Sequence, residues 1–564
     1  MKAVLAILAA GLASLSAQVV LGPPGRPAPQ PEVGKAAIQG KVLDALTREP
    51  VRKASVTLNG RSNLTAVTDA AGQFAFRKLP AGQYMLRAQS VKYPNAVNVY
   101  DAAWQISVTV TAEEEKSDVE LLLTPGGSLS GRILDEEGSP MPRCLVRATQ
   151  FYDTGTRLQV LASGGTSQSD DKGEYRMENI PAGKYYVQAK CSQFVPLPHA
   201  LLRRDEARNA PALIYPARLF PGAAELSSAT RIAVTPGSTI TAIDFHMIPA
   251  TGMTVRGRAH PVPSNAGQLL LQLRPKDASP LENRPSASVD PNTGEFRFSN
   301  VPPGSYAIVT SNPRGDCACF ASVPVEVGAT APDPVDVLIS PMPQLMGTLS
   351  FEDGDKPEGV IRIEGPPQNS RSVMLTPLDD QFGGPPLPAQ VQSDGTFVVT
   401  APPGRWQVRV NGAPGYVKSV KLGDQEVPPD DLETGAAPAA LQIVMSTKFA
   451  PIEGTVSGVP AGSGMVSGML WPAASFGSQQ FFGMNPQGSV TLSVPPGRYY
   501  ACAVAITQPS MLIQNPALLK ALEGRCATVE AVAGDRATFT MKVISADELK
   551  RVQDSLDSDP ATPQ

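Results

Sequence analysis

The sequence predicts an all-β chain, a tandem array of about five β-sandwiches of about seven strands each, with short helices in the second and last domains. Three observations carry this. One hairpin motif recurs five times, apolar residues alternate with period two around it, and turn residues return every eight to twelve positions.

The motif is an acidic or amide turn, a glycine, an alternating strand, then Pro-Pro-Gly or Pro-Ala-Gly and an aromatic. Its first copy runs Asp69-x-x-Gly72-x-Phe74-x-Phe76 to Leu79-Pro80-Ala81-Gly82-x-Tyr84. The second is Gly173-x-Tyr175-x-Met177 to Pro181-Ala182-Gly183-x-Tyr185, and the third Gly294-x-Phe296-x-Phe298 to Pro302-Pro303-Gly304-x-Tyr306. The fourth and fifth are one residue shorter, ending at Pro402-Pro403-Gly404-x-Trp406 and Pro495-Pro496-Gly497-x-Tyr499. Residues two apart share one face of a strand, and the Pro-Gly step reverses the chain, because proline presets φ and glycine accepts positive φ. Aromatics that return at one frame in every copy are core residues first.

Each unit opens on an apolar-x-Gly-x-apolar strand, as in Ile38-Gln39-Gly40-Lys41-Val42, Leu129 to Ile133, Leu345 to Leu349 and Ile452 to Val456. The third unit has a looser version around Val255, Gly257 and Ala259. The spacing places domains at 35–124, 125–250, 251–342, 343–447 and 448–550, with a polar tail at 551–564. Short joints rich in proline or glycine favour a semi-rigid rod. The second domain carries an insertion, Val195 to Gly222, in which Ala200 to Arg208 reads as a short helix. Two more helices are expected at Pro516 to Glu523 and Asp547 to Leu556, the latter with Ser545 and Glu548 as a capping box.

The N-terminus reads as a secretory signal peptide over 1–17, with Lys2, an apolar run from Ala3 to Leu15 and small residues up to Ala17. A Pro-rich linker follows over 18–34, and no second apolar run is long enough to span a membrane. The expectation is an exported protein, periplasmic, at the cell surface or secreted. In an oxidising compartment cysteines pair by default. Cys144 is in register with Val146, and Cys191 with Val187 and Ala189, so a Cys144–Cys191 bridge is expected. Cys502 and Cys526 are placed to tie the fifth domain together. Cys317-Ala318-Cys319 is read as a tight disulfide ring or inert thiols, in preference to redox or metal chemistry.

Net charge is −4, from 48 basic and 52 acidic residues without long runs of one sign, which excludes the basic footprint that nucleic acid requires. Catalytic patterns are absent from the sequence. Its three histidines, His199, His246 and His260, sit in no metal-binding frame, and there is no nucleophile elbow or phosphate-cradling loop. Asp290-Pro291-Asn292-Thr293-Gly294 has oxygen ligands at alternate positions but lacks the later bidentate acid of a calcium loop, and reads as a turn. No catalytic residue, cofactor or metal is expected.

The Gly-x-Val opening, the Asp-x-x-Gly-x-Phe turn and the Leu-Pro-Ala-Gly-x-Tyr hairpin resemble the carboxypeptidase regulatory-like domain. That resemblance implies a seven-stranded, Ig-like or transthyretin-like sandwich related to the Cna-B and carbohydrate-binding-like folds. The zinc peptidase domain that this module accompanies in metallocarboxypeptidases has no counterpart here, so the resemblance transfers no catalytic residue. Lys41 lacks the asparagine that a Cna-B isopeptide bond needs. Two readings follow: a non-catalytic structural or protein-interaction rod with a protein or cell-envelope partner, or a polysaccharide-binding protein. For the second, Trp104 and Trp471 are the candidate sugar contacts, since an exposed ring stacks on the C–H face of a sugar.

Overall fold

A computed structural model describes residues 34–558 apart from the segments 95–104, 154–157, 192–193, 197–211, 263–268, 277–283, 313–317, 353–370, 379–385, 459–465, 475–479, 485–487, 506–511 and 513–515. The regular structure of the described residues is almost all strand, and buried apolar residues collect in separate groups along the chain, within 36–123, 129–247, 253–339, 345–445 and 450–552.

The first unit shows the plan. Its strands are β1 (Ala36–Asp44), β2 (Ser55–Asn59), β3 (Leu64–Val67), β4 (Gln73–Leu79), β5 (Gly82–Gln89), β6 (Gln105–Val110) and β7 (Glu115–Leu123). They form two sheets, β4-β1-β7 and β3-β2-β5-β6, with β1 antiparallel to β4 and parallel to β7. Period-two alternation turns Phe74, Phe76, Leu121 and Ile38 of one sheet toward Val56, Leu58, Tyr84 and Leu86 of the other, all at most 4% exposed. The two apolar faces close on each other, as in any sandwich.

Two features of the motif now have physical causes. The turn glycines Gly72, Gly173, Gly294, Gly395 and Gly488 all have φ between 71° and 84°, a region that costs a side chain strain. The turn's Asp clamps the same reversal, with Asp69 Oδ1 accepting from the backbone N–H of Ala71 and Gln73, and Asp170 Oδ1 from Lys172 and Glu174. The first-strand glycine answers a different need. Gly40, Gly131, Gly257 and Gly347 lie directly opposite the aromatics Phe74, Tyr175, Phe296 and Phe397. A Cβ on Gly40 or Gly257 would come within 2.8 or 2.7 Å of the ring carbon of Phe74 or Phe296. In the fifth unit Gly454 faces Val490, and the ring comes instead from Phe539 on the parallel neighbour, 2.6 Å from such a Cβ.

Three departures from the sequence reading stand out. The insertion after the second unit's hairpin stays with that unit only in part, where Arg218–Leu219 pairs onto Gly183–Lys190. Its strands Phe194–Pro196 and Ala212–Ile214 pair antiparallel, and the latter pairs onto Ala250–His260, the opening strand of the third unit. The span expected to be helical, Ala200 to Arg208, lies outside the described residues. In the fifth unit one path of hydrogen-bonded strands joins both sheets, because Ala503 and Val504 of Gly497–Val504 pair with Val543 and Ile544 of Ala537–Ile544.

The tail expected from residue 551 is also partly core. Helix α1 (Pro516–Leu522) and helix α2 (Ala546–Ser558) cover one face of the fifth unit, and Leu549 and Val552 of α2 are buried with Leu518, Leu519 and Leu522 of α1. Ser545 Oγ caps α2 by accepting from the Glu548 N–H at 3.2 Å. The Glu548 carboxylate turns to Arg525 at 3.3 Å, so the cap runs in this one direction among the described contacts.

Candidate functional site

The recurring aromatic ends in a hydroxyl, and the structure gives it a partner. Tyr84 Oη donates to the carbonyl of Pro80 at 2.8 Å, and Tyr185 to Pro181, Tyr306 to Pro302 and Tyr499 to Pro495 at 2.8, 2.9 and 2.8 Å. The offset is four residues each time, because the Pro-Gly reversal folds the ring back over the proline. In the fourth unit the indole Nε1 of Trp406 donates to Thr434 Oγ1 at 3.0 Å, and that hydroxyl lies 3.2 Å from the Pro402 carbonyl. The threonine relays what the shorter reach of the tyrosine hydroxyl does elsewhere. Burial pushes the Tyr499 phenol up to about 12 and the Tyr185 phenol upward as well. These tyrosines lock hairpins and are not available as proton donors to a substrate.

The other sequence candidates are placed as follows. Trp471 is 0% exposed, packed among Leu518, Leu519, Leu522 and Leu549 under the helical layer, so it offers no face to a sugar. Its expected role fails because α1 and α2 cover the strand on which it sits. Trp104 lies outside the described residues. Cys144 is joined to Cys191 and Cys502 to Cys526. Cys319 is also disulfide-bonded, while Cys317 lies outside the described residues. Asp290 Oδ1 accepts from the N–H groups of Asn292 and Thr293, which hold its carboxyl below the usual range, so the calcium-like stretch is a hydrogen-bonded turn. His246 and His260 are exposed, and His199 lies outside the described residues. Among the described residues no three metal-binding side chains converge, and no helix is long and apolar enough to cross a membrane.

What varies between the units is the outer face of the sheet that carries the motif. The residue before each first-strand glycine sits opposite a residue of the motif strand, and the register is the same every time. The pairs are Gln39 with Ala75, Ser130 with Arg176, Arg256 with Arg297, Met346 with Val398, and Glu453 with Thr491. None is buried; Met346 and Val398 are 65% and 53% exposed. Where single charges occur they are compensated: Arg176 by Glu178 at 2.8 Å, its neighbour Arg132 by Glu174 at 2.7 Å, and Glu453 by Arg536 at 2.9 Å.

The third unit differs. A cleft of about 1080 Å³ lies over its outer face, lined by Arg256, Arg258, Arg297, Asp290, Glu295 and Asp336, among others. Apart from Asp290, sequence reasoning did not find these residues, since the signal is a pairing between strands that only the register reveals.

Residues 37–123 match the family model of the carboxypeptidase regulatory-like domain. No curated protein is significantly similar to the chain. Among solved structures, the minor pilin of Streptococcus agalactiae is 11% identical, covering 38% of this chain and 96% of that one, with a TM-score of 0.22. The shaft pilin of Lactobacillus rhamnosus GG is 10% identical, covering 39% of this chain and 97% of that one, with a TM-score of 0.22. The Bacillus anthracis TIE protein is 13% identical, with 54% of this chain and 50% of that one covered and a TM-score of 0.17. The chain thus spans half the length of that last protein.

Proposed function

We propose that the chain is a non-catalytic structural and protein-interaction molecule, a series of sandwich domains that holds different outward faces along an extended body outside the cytoplasm. One observation carries this reading. The core frame is constant from unit to unit while the outward pair at one fixed register changes chemistry completely, from Gln39/Ala75 to Arg256/Arg297 to Met346/Val398. A scaffold repeated for catalysis would keep its reacting groups at that frame. A scaffold repeated for display has only to keep its hairpin and core.

The disulfides Cys144–Cys191 and Cys502–Cys526 support an oxidising compartment, and with it export. The family match over residues 37–123 supports a module that accompanies other activities without performing chemistry itself.

Small-angle scattering on the purified, oxidised chain tests the extended form. One compact body of this length would have a radius of gyration of about 24 Å. An extended array gives a value well above that, with a second scattering maximum at the domain spacing. A measured radius close to the compact value would overturn the reading.

A further inference from the structure

The third unit's outward pair sets two like charges face to face. Arg256 and Arg297 are direct antiparallel partners between the strands Ala250–His260 and Glu295–Val301. Like charges directly opposite on a sheet destabilise it, and the other units avoid the arrangement by compensation or by using neutral residues. On the other side of Arg256, in register, lies Pro334, the residue before the parallel strand Val335–Leu338, so no acid neutralises it from there. Arg297 Nε is buried without a hydrogen-bond partner, and none of Arg256, Arg258 and Arg297 has an ion pair with a described residue. Two facing guanidinium groups without a counter-charge are costly, so an anion in the cleft would supply what the fold omits.

The cleft itself narrows the ligand. Its wall carries three arginines and three carboxylates, Asp290, Glu295 and Asp336. Asp290 is occupied by its own turn. Glu295 and Asp336 flank Arg258 in register, one on each neighbouring strand, and leave the Arg256–Arg297 end the more positive. A planar monoanion matches the guanidinium fork with two parallel hydrogen bonds. A phosphate dianion would meet the same arginines but also a stronger repulsion from the two carboxylates behind them. We propose that Arg256 and Arg297 form a binding site for a single carboxylate group, and that its natural source is an acidic side chain of a protein partner. The source rests on the interaction reading above; the site itself does not.

The test uses the full oxidised chain and small probes. N-acetyl-aspartate amide, glucuronate and inorganic phosphate are titrated separately by calorimetry at low ionic strength, and arginine Nε–H resonances are followed in parallel. The expected result is saturable binding of the aspartate probe at one site, with Arg256→Gln and Arg297→Gln each weakening it at least tenfold. Arg256→Lys keeps the charge but loses the fork, and weakens it by less. Arg132→Gln in the second unit leaves it unchanged. Thermal unfolding of each variant matching that of the parent confirms that the site, not the fold, was altered.

Glucuronate binding at the same arginines with clear preference over the aspartate probe would overturn the protein source and keep the carboxylate site. Phosphate binding more tightly than either would overturn the choice of a carboxylate. No saturable binding, or binding that survives both glutamine variants, would overturn the site while leaving the scattering result untouched.

Discussion

Replacing Tyr84 by phenylalanine isolates the hydroxyl that the repeat keeps in four of its copies. The ring is 0% exposed and its Oη donates to the Pro80 carbonyl at 2.8 Å. Phenylalanine keeps the ring in the core, removes one hydrogen bond and leaves the carbonyl of a tight reversal without its donor. A neutral hydrogen bond contributes about 1 kcal/mol net, and an orphaned buried acceptor costs about 1–3 kcal/mol, so a loss of about 1–2 kcal/mol is expected. Truncation to alanine adds the cavity and should cost about 3–5 kcal/mol.

Several domains unfold along this chain, so a single melting curve would blur the effect. Hydrogen exchange on the full chain reads it locally. Peptides over β5 (Gly82–Gln89) and β6 should exchange roughly 5–30 times faster in Tyr84→Phe, the ratio that one to two kcal/mol of lost stability implies. The corresponding strand of the second unit, Gly183–Lys190, serves as an internal reference and should not change. Unchanged exchange over β5 would show that water replaces the hydroxyl at no cost. Equal losses for the phenylalanine and alanine variants would show that the ring's burial contributes nothing. Either result would refute the account of the motif given above.

Two further outcomes follow from the same structure. Reduction of Cys144–Cys191, which closes a separation of 47 residues, should destabilise the second unit by about 4 kcal/mol, and reduction of Cys502–Cys526, with a separation of 24, the fifth by about 3.5 kcal/mol; exchange measured with and without reductant reads each unit separately. Alkaline pH should weaken the fifth unit, because the phenol of Tyr499 is raised to about 12 in the folded chain against about 10 when unfolded. Its contribution is complete below pH ~10 and is lost as pH rises from there through ~12, since only the unfolded state ionises in that window; a tyrosinate absorbance titration that shows this residue ionising near pH 10 in the folded protein would contradict it.

The strand order around each motif was legible because two signals agreed. Phe74-x-Phe76 and Tyr84-x-Leu86 specify faces, and the Pro-Gly step between them specifies a reversal, so neither needs distant information. The Tyr84–Pro80 bond was within reach of the same reading, since the offset of four recurs, but its chemistry depends on how tightly the turn folds back. Trp406 shows the limit: its partner Thr434 is 28 residues away, and no local pattern announces it.

The strands Phe194–Pro196 and Ala212–Ile214 are three residues each, too short to carry a period. Trp471 looked available because a strand predicts only its two faces, and the layer that covers one of them arrives with α1 and α2 much later in the sequence. The Arg256–Arg297 pair needed the exact register, which an irregularity between Met253 and Val255 shifts by one residue.

The ribbon that leaves the second unit to pair with the third bears on how the molecule can be divided. A fragment ending near residue 249 keeps Ala212–Ile214 but deprives it of the strand it pairs with, exposing an unpaired edge of backbone N–H and C=O groups. Such an edge recruits other chains, so that fragment is expected to aggregate, whereas one ending at the Thr124-Pro125 joint cuts no strand pair. The second and third units are therefore best handled, and inherited, as a single piece.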